Sequence, residues 1–188
     1  MQQLLNVEVE VDTLACTVWL NLAPPKVEFF PWLALLGKLN TKDMLFKKWI
    51  LQKGQNVCTF CSLDTESLDH ILMACSFSWR IWCCIANELG QHLLRPVTFR
   101  QFYKNLLALP WRNSISKKLW GTTFFAVAWS LWMVRNGVIF QQQELETVVL
   151  CHAIRWRVAL WTKTWKEPLP YTMEEIARNF GSLPSIFS

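Results

Sequence analysis

Three cysteines and one histidine lie together in the stretch CTFCSLDTESLDHILMAC, residues 58–75. The candidate ligands are Cys58, Cys61, His70 and Cys75, with the spacing C-x2-C-x8-H-x4-C. Two cysteines separated by two residues can turn both thiolates towards one ion, which is the usual first half of a tetrahedral zinc site. Three thiolates and an imidazole leave no position for water, so the pattern predicts a closed, structural zinc site.

The second half of this site requires a break in the local helix. Residues 66–74 have a helical pattern with Glu66 and Asp69 near its N-terminus, and His70 would project from it towards the cysteine pair. If the helix continued, Cys75 would lie roughly 140° away from His70 around its axis. We therefore expect the helix to end before Cys75 and the chain to curl back. The alternative is an ordinary core, since free cysteine is often buried.

The composition favours a folded protein in a reducing compartment. The chain has 188 residues, of which 52% are apolar, so it can bury a core of one domain with an extension. Its seven cysteines are an odd number and no signal-peptide pattern opens the sequence, which disfavours a disulfide framework and predicts an intracellular protein. The uncharged run 119–134 would form a helix of about 24 Å, shorter than a bilayer core, so we expect a buried helix and no membrane contact.

Helical periodicity dominates, which predicts a mostly α fold: a small zinc-stabilised helical domain followed by a Trp-rich long-helix extension. Helices are predicted at 27–37, from Asn40 or Thr41 onwards, at 77–89, between Pro96 and Pro110, at 117–142 and at 144–165. The second of them would carry an apolar stripe formed by Leu45, Phe46, Trp49 and Ile50. The alternating sequence VEVEVD, residues 7–12, predicts a short half-buried N-terminal strand or an extended arm.

The same patterns suggest four regions of the chain. They are an N-terminal arm at 1–18, the zinc-binding domain at 19–90, the helical extension at 91–170 and a flexible tail at 171–188, which contains one short helical turn. Five tryptophans recur along the last two long helices: Trp129, Trp132, Trp156, Trp161 and Trp165. We expect these helices to pack on each other or on a partner.

Basic residues gather immediately before the Cys/His stretch. They are Lys38, Lys42, Lys47, Lys48 and Lys53, opposed there by Asp43 alone. Residues 58–75 contain no lysine or arginine, so a phosphate-binding surface would lie beside the zinc loop and not on it. The alternative is a solvated helix face with no ligand. The net charge of +5 permits nucleic-acid binding without requiring it.

Several segments together resemble a known family. They are WLNLAPPKVEFFPWLA (19–34), LNTKDML (39–45), the pair Cys58 and Cys61, then Glu66-Ser67, His70, Cys75 and Trp82. This series resembles the reverse-transcriptase zinc-binding domain at the C-terminal end of plant LINE-type, non-LTR retrotransposon polyproteins. The segment WSLWMVRNGVIF (129–140) is similar to a Trp and Arg-Asn segment that often follows that domain.

The resemblance implies that the four Cys and His residues bind a structural Zn²⁺. It also implies that the domain handles nucleic acid, template RNA or target DNA, next to a polymerase, and that the protein is nuclear. The chain itself has no Asp-Asp pair and only scattered aspartates, whereas nucleotidyl transfer and RNase H chemistry need convergent carboxylates. We therefore expect a non-catalytic zinc-binding domain that assists nucleic-acid binding.

A second function is left open by the sequence. The chain could be a protein-interaction module with a purely structural zinc site, whose Trp-rich helices pack on a reverse transcriptase domain, or a retroelement remnant without function. Salt distinguishes the two binding functions, because phosphate contacts weaken as salt rises and apolar contacts do not.

Overall fold

The computed structural model describes residues 12–111 and 113–186, and helices dominate them. The predicted mostly α fold is confirmed. Within these residues β-pairing is limited to a single isolated antiparallel bridge between Val57 and Thr65, in the zinc loop. The strand predicted at 7–12 lies, apart from Asp12, outside the described residues; Asp12 caps the first helix by accepting a hydrogen bond from Ala15 N at 3.1 Å.

The helices follow one another through short connections. In chain order they are α1 (Thr13–Cys16), α2 (Pro25–Leu35), α3 (Lys42–Lys47), a π-helical turn (His70–Ala74), α4 (Ser76–Glu88), α5 (Phe99–Ala108), α6 (Ser114–Gln141), α7 (Thr147–Thr162), α8 (Met173–Arg178), a 3-10 turn (Phe180–Ser182) and α9 (Leu183–Ile186). Side chains cap several N-termini, as the sequence predicts for α3, where the Thr41 hydroxyl accepts from Met44 N at 3.3 Å.

Three helices end in the same left-handed turn. At the ends of α2, α3 and α4 the residues with positive φ are Gly37 at 64°, Trp49 at 59° and Gly90 at 66°. Each turn has the paired backbone hydrogen bonds of a Schellman motif; in α3 they run from Trp49 N to Phe46 O and from Ile50 N to Leu45 O. Glycine is the usual residue at this position because it lacks a Cβ.

The predicted apolar stripe of α3 is therefore wrong at its C-terminal end. The helix stops at Lys47, and the left-handed turn after it directs the chain away from the core. Trp49 is 91% exposed and Ile50 65% exposed, whereas Leu45 and Phe46 are half-buried. Helical periodicity cannot reveal this, because the turn that ends the helix has tryptophan where glycine is expected.

Helix α6 lies at the centre of the core and packs on α2, α4, α7 and the π-helical turn. Its Phe124 is fully buried, and its ring centroid lies 5.1 Å from that of Trp82 and 5.2 Å from that of Phe102. Length and composition would also allow α6 to cross a membrane, but core helices share these features, and 56% of its most apolar 18-residue window is buried in this fold.

The packing of the two Trp-rich helices on each other is confirmed, because α6 and α7 lie side by side. Trp161 and Trp165 are buried, and Trp129 packs against Phe30 of α2 with ring centroids 5.6 Å apart. These rings therefore contribute to the protein's own core. Trp156 is the member of the series that remains exposed.

Residues 171–186, in the region that the sequence predicts to be a flexible tail, include the short helices α8 and α9. Thr172 and Glu175 form a capping box that starts α8, and α8 packs on α7. Ile176, Phe180 and Leu183 are buried in the common core, with the i, i+4, i+7 spacing of an amphipathic helix. The capping box and this spacing are both visible in the sequence. The boundaries after residues 18, 90 and 170 stay predictions.

Candidate metal centre

The four predicted ligands converge in the folded chain. The sulfur atoms of Cys58, Cys61 and Cys75 and a ring nitrogen of His70 all lie within 4.8 Å of one another. The Cys58 and Cys75 sulfurs are 3.9 Å apart, and His70 Nε2 is 3.4 Å from the Cys61 sulfur. Ordinary Zn–S and Zn–N bond lengths give tetrahedron edges of about 3.8 Å and 3.6 Å. The arrangement therefore fits a tetrahedral zinc ion.

The first two ligands lie on a tight loop. Cys58 N donates to Asp64 O at 2.7 Å, and Ser62 N donates to Cys58 O at 2.9 Å, so the chain turns sharply between the two cysteines. Ser62 has a φ of 54°, which allows the chain to leave the turn directly after Cys61. Phe60 N points at the Cys58 sulfur, 3.4 Å away, and a backbone donor in this position stabilises a thiolate.

The last two ligands lie on either side of a helix break, as predicted. The π-helical turn begins at His70 and ends at Ala74, and Cys75 has the extended angles φ −58° and ψ 136° before α4 begins. Cys75 N donates to His70 O at 2.8 Å, which closes the wide turn and brings both ligands to one side. The prediction that the helix ends before Cys75 is confirmed, which removes the objection that one regular helix cannot present both residues.

The two buried thiols perturb each other. The hydrogen bond from the Cys58 thiol lowers the pKa of Cys75 to about 5. The same contact, together with burial, raises the pKa of Cys58 well above its usual range. Because the shared hydrogen bond lowers the pKa of one thiol and raises that of the other, a second thiolate so close to the first requires a cation. The chemistry of the donor set thus favours a divalent metal at this position.

Asp64 contacts the outer nitrogen of the histidine ligand. Its Oδ2 lies 3.4 Å from His70 Nδ1, on the side of the ring away from the Cys61 sulfur. A carboxylate in this position holds the ring in one orientation and favours the tautomer that leaves Nε2 free for a metal. Asp64 therefore orients His70 and does not itself bind the metal.

We expect Asp64→Asn to lower the zinc affinity about tenfold while leaving the fold intact. Partners of this kind contribute about 10- to 100-fold, and the lower end applies because the contact is 3.4 Å long and the Asp64 side chain is 71% exposed. Competition for zinc with a chromophoric chelator measures the effect. Asp43→Asn on α3 is a matched control, and an unchanged affinity in Asp64→Asn would contradict the orienting role.

Glu66 connects the zinc loop to the rest of the fold. The sequence places it at the start of a helix, but the structure buries it completely, ahead of the π-helical turn. Its Oε1 accepts from Arg135 Nη2 at 2.7 Å, from Arg135 Nε at 3.0 Å and from Lys42 N at 3.1 Å. Its Oε2 accepts from Thr59 N at 3.1 Å and from the Thr59 hydroxyl. One carboxylate thus joins the zinc loop, α3 and α6.

Arg135 is a structural residue that the sequence reasoning missed. It lies within α6 with its side chain 5% exposed, and its guanidinium also lies over the Trp132 ring, 4.9 Å from the centroid. The available signal was a single arginine following a long uncharged run in an apolar helix. Asp69 links the segment of the zinc ligands to α5, because its Oδ1 accepts a hydrogen bond from Phe99 N, at the start of that helix, at 2.6 Å.

Of the five predicted lysines, Lys42 and Lys47 lie on α3, and Lys38, Lys48 and Lys53 lie in the segments beside it. Lys42 Nζ donates to Val57 O at 3.1 Å, and Lys47 pairs with Asp43 at 2.7 Å one helical turn away. Lys48 Nζ donates to Asn40 at 2.9 Å, and Lys38 and Lys53 are exposed at the end of α2 and in the loop after α3. Their nucleic-acid binding stays a prediction.

Comparisons with known proteins agree with the site. A family model described as zinc-binding in reverse transcriptase matches residues 2–82. A protein of Arabidopsis thaliana named "Putative ribonuclease H protein" is 27% identical over 124 residues, which is 65% of this chain but 19% of that protein. No solved structure matches the chain significantly. The matched segment contains all four candidate ligands, so the resemblance of residues 2–82 to the zinc-binding domain of reverse transcriptases is confirmed.

Proposed function

We propose that this chain is a non-catalytic, zinc-stabilised domain that helps a reverse-transcriptase-related protein to bind nucleic acid, RNA or DNA. The contact surface would be the basic surface, defined here as Lys38, Lys42, Lys47, Lys48 and Lys53. The observation that carries the proposal is the attachment of α3 to the zinc loop, because it fixes charged side chains next to a rigid site. A nuclear location remains part of the proposal.

The attachment of α3 uses both the backbone and a side chain. Lys42 N donates to the Glu66 carboxylate and Asp43 N donates to Glu66 O at 3.2 Å. Lys42 Nζ reaches Val57 O, next to the first cysteine ligand. The metal would therefore act on binding indirectly, by fixing the loop that positions α3.

The charge of this region suits a polyanion. Residues 38–53 contain five lysines and one carboxylate, Asp43, and the side chains of Lys47 and Lys48 are exposed at the C-terminal end of α3. A Cys3His zinc centre carries a charge of about −1, but the ligands Cys58 and Cys75 are buried, so their charge is not presented at the surface. The basic surface can therefore attract phosphate.

We also propose that this chain has no catalytic activity of its own. The matched family is a zinc-binding one. Within residues 12–111 and 113–186, the side chains that lie close enough to hold a metal ion in a group of three or more are those of Cys58, Cys61, His70 and Cys75. The ribonuclease H name belongs to the Arabidopsis protein, of which this chain matches 19%. Incubation with an RNA–DNA hybrid during the binding assay checks this point, because cleavage would contradict it.

We expect the variant Lys48→Glu/Lys53→Glu to bind RNA and DNA at least tenfold more weakly than wild type. Each phosphate contact contributes about 0.7 to 0.9 to the magnitude of the slope of log affinity against log salt concentration. Loss of two contacts should therefore reduce that magnitude by about 1.5. Fluorescence anisotropy over a salt series measures both quantities. Lys47 is left unchanged because a glutamate there would face Asp43 across one helical turn.

The control variant is Lys104→Glu/Lys117→Glu, which makes the same change in net charge at exposed positions on α5 and α6. It should keep at least half of the wild-type affinity. Equal losses in the two variants would show that net charge alone drives binding, and would contradict a specific basic surface.

A second function, protein interaction, is supported by the exposed face of α7. Val149, Trp156 and Leu160 are 58%, 37% and 51% exposed at helical spacing, so this face presents an apolar stripe. A partner bound there would remain bound at high salt, whereas nucleic acid would dissociate from the basic surface. A reverse transcriptase domain is the partner that we propose for this face.

A further inference from the structure

Trp49 is the most exposed tryptophan in the described part of the chain. It is 91% exposed, against 47% for Trp19 and 37% for Trp156. Removing this much apolar surface from water is favourable, so an indole this exposed is an unusual feature on a chain whose other tryptophans are at most 47% exposed.

The backbone of Trp49 is held in a conformation that disfavours tryptophan. Its φ of 59° lies in the left-handed region, where a Cβ meets the carbonyl oxygen. The corresponding turns at the ends of α2 and α4 have Gly37 and Gly90. The strain is not offset by packing, because the ring lies in solvent. A strained residue with an exposed ring is more readily explained by binding than by folding.

The surroundings of Trp49 indicate what would bind. The preceding residues, Lys47 and Lys48, are exposed, and Lys53 is exposed in the same loop. A flat aromatic ring among ammonium groups can stack on a base while the lysines contact the neighbouring phosphates. An apolar protein partner would have to desolvate these charges, which makes it the less favourable occupant.

We propose that Trp49 is a base-stacking platform that makes the basic surface selective for single-stranded nucleic acid. The inference rests on the proposed function and adds the form of the ligand. In a duplex the base faces are covered by their neighbours and a surface ring cannot reach them, whereas single strands present them freely. The lysines would then supply affinity for either form, and Trp49 would supply the preference.

Trp49→Gly tests the proposal without the risk of unfolding. Glycine is the preferred residue in this turn, so the variant should melt at the wild-type temperature or up to about 3 °C above it. Its affinity for single-stranded oligonucleotides, an unstructured RNA and the DNA of the same sequence, should fall about tenfold. Its affinity for the matching duplex should stay within about twofold of wild type. Trp49→Phe, which keeps a stacking ring, should retain most of the single-strand affinity.

Gln142→Gly is the matched control, because Gln142 ends α6 in the same left-handed conformation with a φ of 53° and is exposed. It relieves the same kind of strain without removing a ring, so single-strand affinity should not change. An unchanged affinity in Trp49→Gly, or equal losses for single strands and duplex, would overturn the proposal. So would a Trp49→Gly variant that differs from wild type only in self-association by ultracentrifugation.

The two proposals fail in different ways. If the wild-type protein binds neither single strands nor duplex, the proposed function fails and the stacking role with it. If Lys48→Glu/Lys53→Glu weakens binding but Trp49→Gly does not, the basic surface stands and only the stacking role is overturned.

Discussion

Cys58→Ser is expected to purify with almost no zinc, whereas the wild-type protein should carry about one ion per chain. A serine hydroxyl stays protonated at neutral pH and does not replace a thiolate as a zinc ligand. The Cys58 sulfur lies within 4.8 Å of the other three ligand atoms, so its loss leaves three ligands and an open position. Because structural zinc contributes its binding energy to folding, we expect the variant to lose at least about 3 kcal/mol of stability.

The unfolding caused by metal loss should be local. The zinc loop and α3 depend on each other through Glu66, whereas most of the buried side chains that pack around α6, α7 and α8 belong to helices outside the zinc loop. Trypsin should therefore cleave after Lys47, Lys48 and Lys53 in the variant, while residues 114–178 stay protected. Metal analysis by mass spectrometry and timed proteolysis measure the two effects.

The control for this variant is Cys16→Ser, at an exposed cysteine in α1. It should retain the metal and the wild-type cleavage pattern. A Cys58→Ser protein that lacks zinc but resists trypsin like wild type would contradict the structural role of the metal. A wild-type protein that folds without metal would contradict the centre itself.

The metal centre was predictable because its constraints are local. The two-residue spacing defines the first half, and the rotation of about 100° per residue shows that His70 and Cys75 cannot bind from one regular helix. The structure solves this geometry with a π-helical turn that ends at Ala74. The helical class was predictable for the same reason, since apolar periodicity and caps such as Thr41 act within a few residues.

The parts that sequence reasoning missed depend on distant or rare features. Glu66 and Arg135 are 69 positions apart, and nothing in the local pattern of either residue identifies the other as its partner. Trp49 occupies a turn position that usually has glycine, so periodicity extended α3 beyond its true end. The helix α8 shows a limit of another kind, because a capping box starts it within the region predicted to be a flexible tail, although both residues of that box are visible in the sequence.

The segment WSLWMVRNGVIF also receives a physical explanation. It lies outside the family match, which ends at residue 82. Its Arg135 reaches back to Glu66 in the zinc loop, so the loop is completed by a side chain from the helical extension. The zinc loop and α6 are therefore coupled, and a fragment cut at residue 82 would leave the Glu66 carboxylate without its charged partner.

Arg135→Met is expected to destabilise the protein by about 3 to 5 kcal/mol, because it leaves the Glu66 carboxylate buried without its counter-charge. Methionine keeps much of the side-chain volume, so a cavity contributes little. Equilibrium unfolding in urea measures the change. Arg178→Met is the matched control, since Arg178 pairs with Glu174 at 2.5 Å but is 74% exposed, and it should cost about 0.5 kcal/mol or less.

Two further measurements distinguish the ion pair from simple packing. In the double variant Glu66→Gln/Arg135→Met no charge is buried, so its destabilisation should be smaller than the sum of the two single changes. Additive effects would contradict the coupling.

The pH dependence of stability tests whether Arg135 stabilises the fold through its charge interaction with Glu66. Burial raises the pKa of Glu66, but hydrogen bonds from Thr59 and Arg135 outweigh it and lower the pKa below 4.5. In the wild type this stabilisation is present above that unfolded value and is lost as the pH falls through the lower folded pKa. Without Arg135 burial dominates, the pKa of Glu66 rises, and the carboxyl gains a proton at higher pH. The stability gap between wild type and Arg135→Met should therefore narrow as the pH falls towards the raised pKa of Glu66 in the variant. A constant gap would mean that the arginine stabilises the fold through packing on Trp132 and not through charge.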